Sequence, residues 1–240
     1  MKTILNKLKS LIRRKILGVD ITNYFFAQAG EDAILQALFR KKLESGSPGF
    51  FVDVGAYHPY KDSNTYLLYK NNWKGINIDA TPGSMEAFKK FRPRDINIEI
   101  GIGEKEGVLD YYWIDFSSTM NSFSKKNLID NGMIDFVKKI IPIKVHALKT
   151  ILLQYSSEFK KIDLLNIDVE GLDFVVLNSN DWDNFKPDVI SVELSVSSFD
   201  DLSENNSAIF LKEKGYKIVA KNVILNNVAT VFFVHFDFKY

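Results

Sequence analysis

Five acidic residues are placed where short apolar runs of the chain end. These residues are Asp53, Asp79, Asp168, Glu170 and Glu193. If the runs are neighbouring parallel strands, the carboxylates meet at one edge of a sheet. Carboxylates packed together repel one another unless a ligand, a cation or bound protons compensate for their charge. We therefore expect a binding site at this edge, for a ligand with hydroxyl or amine donors or with a positive centre.

The elements that would position these carboxylates begin with the run at residues 50–54. It is rich in β-favouring residues, which is typical of a strand buried on both faces of a sheet. Gly55 permits a tight turn, and the polar stretch at residues 62–64 suits the start of a helix. A strand, a glycine turn and a helix in this order form a nucleotide-sized pocket, although an ordinary buried strand and turn would look similar.

The same alternation of strand and helix continues along the chain. Further strands are predicted at residues 75–80, 96–102, 162–168 and 188–193, with helices at 85–91, 172–178 and 206–214. Residues 216–220 and 228–238 predict a closing antiparallel hairpin. Residues 107–114 suggest an added hairpin, and Pro142 limits the run at 141–145 to the edge or end of a sheet. The predicted class is therefore α/β with a mostly parallel sheet.

Composition narrows the range of partners. The 240 residues include 31 basic and 30 acidic side chains, so the net charge of +1 gives no field that would attract nucleic acid. The absence of cysteine excludes disulfides, thiolate catalysis and zinc-thiolate sites, and it fits a reducing, cytoplasmic setting. We expect no nucleic-acid partner and a single domain over residues 23–240.

The first 22 residues predict a basic amphipathic helix. Residues 1–17 carry six lysines and arginines and no acidic residue, and apolar residues recur at helical spacing. The charges are spread through the segment and no small-residue cleavage site follows, which argues against a secretory signal. The helix could contact an anionic membrane surface at the inner face, or it could lie on the domain with its charged face in water.

Two enzyme chemistries suit the predicted strand ends. A nicotinamide-dependent oxidoreductase would need a turn with three glycines, but here Gly55 is followed by Ala56, Tyr57 and His58. A methyltransferase that uses S-adenosylmethionine needs an acid and a glycine at the first strand, a ribose-binding acid at the second and a terminal hairpin. The sequence fits all three requirements, with Asp79 as the second acid.

The chain also resembles the FkbM-type methyltransferase family, through motifs that lie between about residues 28 and 194. The order and spacing of these motifs are more diagnostic than any one of them. They are Gln28-Ala29-Gly30-Glu31-Asp32, Phe50-Phe51-Val52-Asp53-Val54-Gly55-Ala56, Ser63-Asn64-Thr65, Gly75-Ile76-Asn77-Ile78-Asp79-Ala80, Ile167-Asp168-Val169-Glu170-Gly171 and Val192-Glu193. Ala27 stands where the family often has serine, which is a minor departure.

The resemblance implies a Rossmann-like class I methyltransferase fold, with a mostly parallel seven-stranded sheet, a C-terminal antiparallel hairpin and helices on both faces. It implies S-adenosylmethionine as the methyl donor and O-methylation of a saccharide, glycolipid or secondary-metabolite hydroxyl, as in polysaccharide biosynthesis. By this resemblance Asp53 and Gly55 approach the methionine part of the donor, Asp79 the ribose and residues 101–102 the adenine. The full set of implied donor-binding residues is Glu31, Asp53, Val54, Gly55, Ala56, Asn64, Asp79, Ala80, Gly101 and Ile102.

Methyl transfer to an alcohol needs help in removing the hydroxyl proton. Asp168 and Glu193 are at positions similar to those that hold a divalent metal in metal-dependent O-methyltransferases, and hard oxygen ligands suit magnesium or calcium. The competing hypothesis uses His58 or Asp168 as a general base without metal. The candidate catalytic residues are therefore Asp168, His58 and Glu193, with Asp168 and Glu193 as possible metal ligands.

Acceptor binding is assigned to Tyr57, Tyr60 and Glu170. The tyrosines follow the glycine turn and could stack on a sugar face, and Glu170 could instead cap the next helix. The polar segment at residues 115–140 could form a lid over the acceptor. Two other functions fit less of the sequence: an NAD-dependent sugar-modifying oxidoreductase, and a non-catalytic nucleotide-binding adaptor at a membrane surface.

Overall fold

A computed structural model describes residues 25–225 and 227–239. The predicted basic helix of residues 1–22 lies outside the described residues, so its contact with a membrane stays a prediction. The division into this helix and one domain over residues 23–240 also stays a prediction.

Within the described part of the chain, ten strands form two sheets. In chain order they are β1 (Phe50–Val54), β2 (Lys74–Asp79), β3 (Ile96–Glu99), β4 (Gly101–Ile102), β5 (Gly107–Trp113), β6 (Lys139–His146), β7 (Leu164–Ile167), β8 (Val189–Leu194), β9 (Tyr216–Leu225) and β10 (Val228–His235). The larger sheet has seven strands in the order β3-β2-β1-β7-β8-β10-β9. Its first five strands are parallel, and β10 is antiparallel to both β8 and β9. This confirms the predicted class I methyltransferase fold.

Helices cover both faces of the large sheet. They are α1 (Glu31–Leu38), α2 (Arg40–Ser45), α3 (Tyr66–Lys70), α4 (Ser84–Phe91), α5 (Lys125–Asp130), α6 (Leu148–Gln154), α7 (Asp173–Asn178) and α8 (Asn206–Glu213). Short 3-10 helices lie at Ile134–Phe136, Ser156–Glu158 and Asp200–Ser203. Among the described residues, no helix has the length and apolar character that crossing a membrane requires.

The alternation of side chains along β1 explains why the sheet has two cores. Val52 and Val54 are buried in one apolar cluster with residues of α6, α7 and α8, whereas Phe51 is buried in a second cluster with residues of α1. Successive side chains of a strand point to opposite faces, so a strand covered on both sides must be apolar at nearly every position. Asp53 shares the face of Phe51, and it is the one charged residue of this fully buried strand.

The smaller sheet was not predicted as a unit. Its order is β4-β6-β5, and the predicted strand over residues 96–102 is divided between the two sheets. β6 pairs with β5 at residues 139–145, but with β4 only at Val145 and His146. Pro142 therefore lies where β6 has one partner strand, as its missing N–H requires. At Pro142 the strand is thus an edge, as predicted. Only the C-terminal end of β6 lies between two strands, β4 and β5.

Candidate active site

A cavity of about 430 Å³ opens at the carboxyl ends of β1, β2, β7 and β8. It brings together most of the residues that the sequence assigned to a site. Those at its wall are Asp53, Val54, Gly55, Ala56, Tyr57, Asn64, Asp79, Ala80, Gly101, Ile102, Asp168, Glu170 and Glu193. Three assigned residues, Glu31, His58 and Tyr60, are not among the described residues of the wall.

The turn after β1 requires glycine for two reasons. Gly55 has a φ of +81°, and a Cβ at this position would lie 1.7 Å from the carbonyl oxygen of Asp168. The N–H groups of Gly55 and Ala56 both donate to the carbonyl of Ile78, at 2.9 and 3.1 Å. The turn is thus held between the ends of β2 and β7, where only glycine fits.

Asp79 is held by backbone donors at the end of β2. Its Oδ2 accepts from Tyr57 N–H and its Oδ1 from Thr81 N–H, each at 2.8 Å. Burial raises the pKa of Asp79, and the two backbone hydrogen bonds oppose that rise. A carboxylate has about four lone-pair sites, so Asp79 retains capacity to accept hydrogen bonds from ligand hydroxyls.

Asp53 uses both of its oxygens within the protein. Its Oδ2 accepts from Thr65 Oγ1 at 2.6 Å, and its Oδ1 accepts from Asn166 Nδ2 at 2.9 Å. The other end of the Asn166 amide accepts from Ser191 Oγ at 2.6 Å and from Asn64 Nδ2 at 3.1 Å. Sequence reasoning missed Thr65, Asn166 and Ser191. The available signal was one polar residue inside each of two otherwise apolar strands.

An acidic cluster, defined as Asp168, Glu170 and Glu193, lies at the ends of β7 and β8. One carboxylate oxygen from each residue lies within 4.8 Å of the other two. Burial and, next, the charge of Glu193 raise the pKa of Asp168 well above its usual range. Burial followed by repulsion from Asp168 raises the pKa of Glu170 to about 8, and burial followed by repulsion from Glu170 raises that of Glu193 to about 9.

The loop that presents Glu170 is held in an unusual conformation. Glu170 has a φ of +54° and Gly171 a φ of +102°. Asp173 accepts from the N–H groups of Val169 and Gly171, each at 3.1 Å, and so closes the loop onto α7. A side chain in the left-handed region costs about 1–2 kcal/mol, and the surrounding hydrogen bonds hold it there. The sequence predicted Asp168 and Glu193 together but did not predict this loop or Asp173.

A cover segment, defined as residues 115–131, closes one side of the cavity. Tyr57 donates its hydroxyl to the carbonyl of Ser117 at 2.9 Å, and Ser122 Oγ donates to the carbonyl of Glu170 at 2.7 Å. Asn127 Nδ2 lies 3.4 Å from Glu170 Oε2. The segment is therefore tied both to the glycine turn and to the acidic cluster, in the position expected of a lid.

His58 and Tyr60 face other parts of the molecule. Nδ1 of His58 accepts from Lys61 N–H at 3.0 Å, and its ring packs against that of Tyr60 at 4.5 Å. Tyr60 also packs against Phe91, with 5.3 Å between ring centres. Tyr57 has a φ of +53°, and the chain leaves the described cavity wall directly after it. The predicted roles of His58 in catalysis and of Tyr60 in acceptor binding therefore have no support in this arrangement.

Glu31 lies behind the cavity wall rather than in it. Its side chain is 1 % exposed, and its Oε2 accepts from Ala29 N–H at 2.9 Å. Its charge contributes to the raised pKa values of Asp168 and Glu193. Glu31 thus acts on the acidic cluster through its charge, and its predicted contact with the donor is not supported by the cavity wall.

The described wall of the cavity is strongly acidic. It contains seven Asp and Glu residues and no lysine, arginine or histidine. Side-chain amides supply half of its remaining polar side chains, and hydroxyl groups supply the other half. The amides are Gln28, Asn64, Asn121, Asn127, Asn131, Asn166, Asn205 and Asn206. Such a wall favours neutral or cationic ligands and repels phosphates and carboxylates.

The profile of the methyltransferase FkbM domain matches residues 53–218. This is more than half of the chain, and the chain belongs to the FkbM methyltransferase family. No curated protein matches the sequence.

Solved structures with a similar fold include three methyltransferases from bacteria. The FkbM methyltransferase of Methylobacillus flagellatus KT is 14% identical, with a TM-score of 0.48. The match covers 78% of this chain and 44% of that protein, so this chain spans less than half of that protein's length. The 1,6-didemethyltoxoflavin-N1-methyltransferase of Burkholderia thailandensis is 10% identical with a TM-score of 0.44, over 97% and 86%. A TehB-like methyltransferase of Corynebacterium glutamicum is 11% identical with a TM-score of 0.41, over 96% of each chain.

Proposed function

We propose that the protein transfers a methyl group from S-adenosylmethionine to a hydroxyl of a saccharide, glycolipid or secondary metabolite. The observation that carries the proposal is one cavity with two acidic regions of different character. Asp79 is fixed by backbone donors and suits vicinal ribose hydroxyls. The acidic cluster lines the same cavity and could accept the proton that an acceptor hydroxyl would have to lose.

The donor half of the cavity is assigned to the glycine turn and the end of β2. Gly55 lets the backbone come close to the methionine part, Asp79 accepts from the ribose, and residues 101–102 border the adenine. The negative wall suits this donor, because S-adenosylmethionine carries a positive sulfonium and an ammonium group. The same wall would repel an anionic dinucleotide such as NAD.

The acceptor half is assigned to the cover segment and to residues 205–207, which also line the cavity. Amide and hydroxyl groups there can both donate to and accept from sugar hydroxyls. The acidic wall disfavours acceptors that carry phosphate, sulfate or uronate groups. We therefore assign the acceptor to neutral or amine-bearing polyhydroxylated compounds.

Removal of the acceptor proton is assigned to the acidic cluster. A carboxylate with a raised pKa is a stronger base than an ordinary one, and efficient proton transfer needs a pKa near the working pH. Glu170 and Glu193, with pKa values raised to about 8 and about 9, meet that requirement. The in-line geometry of transfer depends on the cover segment, which fixes the acceptor between the cluster and the donor.

A divalent cation is the second way to neutralise the cluster. Three carboxylate oxygens within 4.8 Å of one another fit a hard cation such as magnesium or calcium. A bound cation would supply a Lewis acid that lowers the pKa of an acceptor hydroxyl. Asp168, Glu170 and Glu193 would hold it, and Asn127 would keep Glu170 in place.

The test begins with calorimetry using S-adenosylhomocysteine and NAD. We expect S-adenosylhomocysteine to bind and Asp79→Asn to weaken that binding. Asp62→Asn is the control, because it also removes a carboxylate from the wall but should leave the affinity nearly unchanged. Binding of NAD instead would contradict the proposal and favour the oxidoreductase. Methyl transfer is then assayed on neutral, amino and phosphorylated sugars, with and without chelator. Activity that survives chelation would eliminate the cation, and donor binding without transfer to any acceptor would favour the adaptor.

A peripheral contact of residues 1–17 with anionic membrane is proposed from their sequence alone. Sedimentation with vesicles rich in phosphatidylserine, using the full chain and a chain without residues 1–17, tests it. Equal binding by the two chains would contradict the contact.

A further inference from the structure

One row of polar residues crosses five strands of the large sheet. In strand order, the row contains Asn97, Asn77, Asp53, Asn166 and Ser191, and each is in register with the next. Three of the four neighbouring pairs are joined by side-chain hydrogen bonds: Asn77 to Asn97, Asn166 to Asp53 and Ser191 to Asn166. We call this the polar row. Asp53 is its one member that can carry a charge.

Arg92 is a buried cation that is connected to the polar row through Thr65. Its side chain is fully buried, and its Nη1 donates at 3.0 Å to Thr65 Oγ1, which in turn donates at 2.6 Å to Asp53. Its Nε donates to Asp95 at 2.8 Å. The rings of three aromatic residues lie 5.0 to 5.5 Å from the guanidinium carbon: Phe51, Tyr69 and Phe88. Arg92 itself is not part of the described cavity wall.

The directions of these hydrogen bonds depend on an ionised Asp53. Thr65 and Asn166 both donate to it, so a protonated Asp53 would leave its own O–H facing two donors. Burial raises the pKa of Asp53, and the charge of Arg92 opposes that rise more than any other neighbour. The other charged groups acting on or near Asp53 are Asp79 and Asp168, and both are acids. A guanidinium stays protonated in proteins, so its charge is constant.

We propose that Arg92 is a positioning residue of the donor site, the internal counter-ion that keeps Asp53 ionised. Through Asp53 it fixes the Asn166 amide, and through Asn166 it fixes Asn64 at the cavity wall. The ionised Asp53 also adds negative charge beside the glycine turn, where the ammonium group of the donor is expected. This inference rests on the proposed function for its ligand, but the charge state of Asp53 can be measured without a ligand.

The experiment measures the dissociation constant of S-adenosylhomocysteine by calorimetry between pH 6 and pH 8.5. We expect the Arg92→Met protein to lose affinity as the pH falls, by up to about tenfold for each unit below the pKa of Asp53, because Asp53 then takes up a proton. Wild-type protein, in which Glu170 and Glu193 also titrate near this range, gives the reference profile, and Arg92→Lys should restore most of that profile. Arg92→Met combined with Asp53→Asn should bind weakly at every pH, because no proton can be taken up at that position.

Arg94→Met is the matched control. The Arg94 guanidinium lies 4.0 Å from the centre of the same Tyr69 ring and donates to the Tyr69 carbonyl, but it has no hydrogen bond to Thr65 or Asp53. Its removal takes the same charge from the same helix end, and we expect the wild-type pH profile.

Asp95 loses its cationic partner in Arg92→Met. The variant is therefore also made with Asp95→Asn, so that no unpaired buried charge destabilises the fold. Thr65→Val gives a further test, because it cuts the connection while the pair of Arg92 and Asp95 remains. Parallel pH profiles for wild type, Arg92→Met and Thr65→Val would overturn the inference. If wild-type protein binds no S-adenosylhomocysteine, the proposed function fails. The carbon-13 shift of the Asp53 carboxyl, titrated in wild type and Arg92→Met, then decides the inference separately.

Discussion

Replacement of Glu193 by glutamine should stabilise the ligand-free protein at alkaline pH. Glu193 belongs to the acidic cluster, where burial and repulsion from Glu170 raise its pKa from an ordinary 4.5 to about 9. Between these two values the folded protein holds a proton on Glu193 that the unfolded chain has released. Stability therefore falls as the pH rises through this interval. Glutamine has the shape of the protonated side chain and does not titrate.

The magnitude follows from the interval. One carboxyl group costs about 1.4 kcal/mol of unfolding free energy for each pH unit between its unfolded and folded pKa values. The window from pH 6 to pH 8 lies wholly inside that interval. Over it, wild-type protein should lose about 3 kcal/mol more than Glu193→Gln through this one group. The two proteins should differ least well below pH 4.5, where Glu193 is protonated in both the folded and the unfolded state.

The assay is urea unfolding at pH 6, 7 and 8, in the presence of a chelator so that no cation occupies the cluster. The slope of unfolding free energy against pH is compared among three proteins: wild type, Glu193→Gln and Glu213→Gln. Glu213 is exposed at the end of α8 and distant from the cavity wall, so its variant controls for loss of one negative charge.

Parallel slopes for wild type and Glu193→Gln would refute the reasoning, because they would mean that Glu193 is ionised in the folded protein at pH 6. A slope for Glu213→Gln as shallow as that of Glu193→Gln would show that net charge, and not the cluster, sets the dependence. Addition of magnesium should flatten the wild-type slope if the cluster holds a cation, since a cation replaces the proton.

Gly55→Ala should lower the unfolding free energy by at least about 1–2 kcal/mol for the left-handed backbone alone, with more from the clash with Asp168, and S-adenosylhomocysteine binding should fall with it in calorimetry. Asp79→Asn should weaken the same ligand by about 1.5–3 kcal/mol, the range for hydrogen bonds to charged groups, and an unchanged dissociation constant would contradict the ribose assignment. Tyr57→Phe removes the tie to Ser117, and we expect a higher acceptor KM, equivalent to about 1 kcal/mol, with donor affinity unchanged.

The large sheet could be predicted because its signals are local. Each central strand is a short apolar run. Because these strands are buried on both faces, they can be recognised as continuous apolar runs without an alternating pattern of polar and apolar residues. The small sheet could not be predicted in the same way, because β5 and β6 pair across the intervening cover segment. Residues 96–102 contain no turn signal where β3 passes into β4, and only the change of partner strand divides them.

The sequence predicted those residues of the candidate site that lie directly at the carboxyl ends of the strands. Asp79 and Asp168 follow from the rule that parallel strands deliver their carboxyl ends to one edge. His58 is not among the described residues of the wall, and its catalytic role stays a prediction. The residue before it, Tyr57, has a positive φ, a conformation that a tyrosine in the sequence does not predict. Arg92 was missed for another reason. It stands among other basic residues after α4, and nothing in that stretch shows that it alone is buried.

Asp53 and the acidic cluster differ in how their charge is balanced. Asp53 has a cation within the fold, since Arg92 reaches it through one hydroxyl group. The acidic cluster has no lysine, arginine or histidine among the described residues of the wall, so its charge must be balanced from outside. A proton, a divalent cation or the sulfonium of a methyl donor could each do so, and each would be drawn to the same point. A fold built only for stability would gain by replacing Glu170 or Glu193, because unpaired buried carboxylates are costly. Their presence beside a cavity is what the proposed roles in binding and proton removal require.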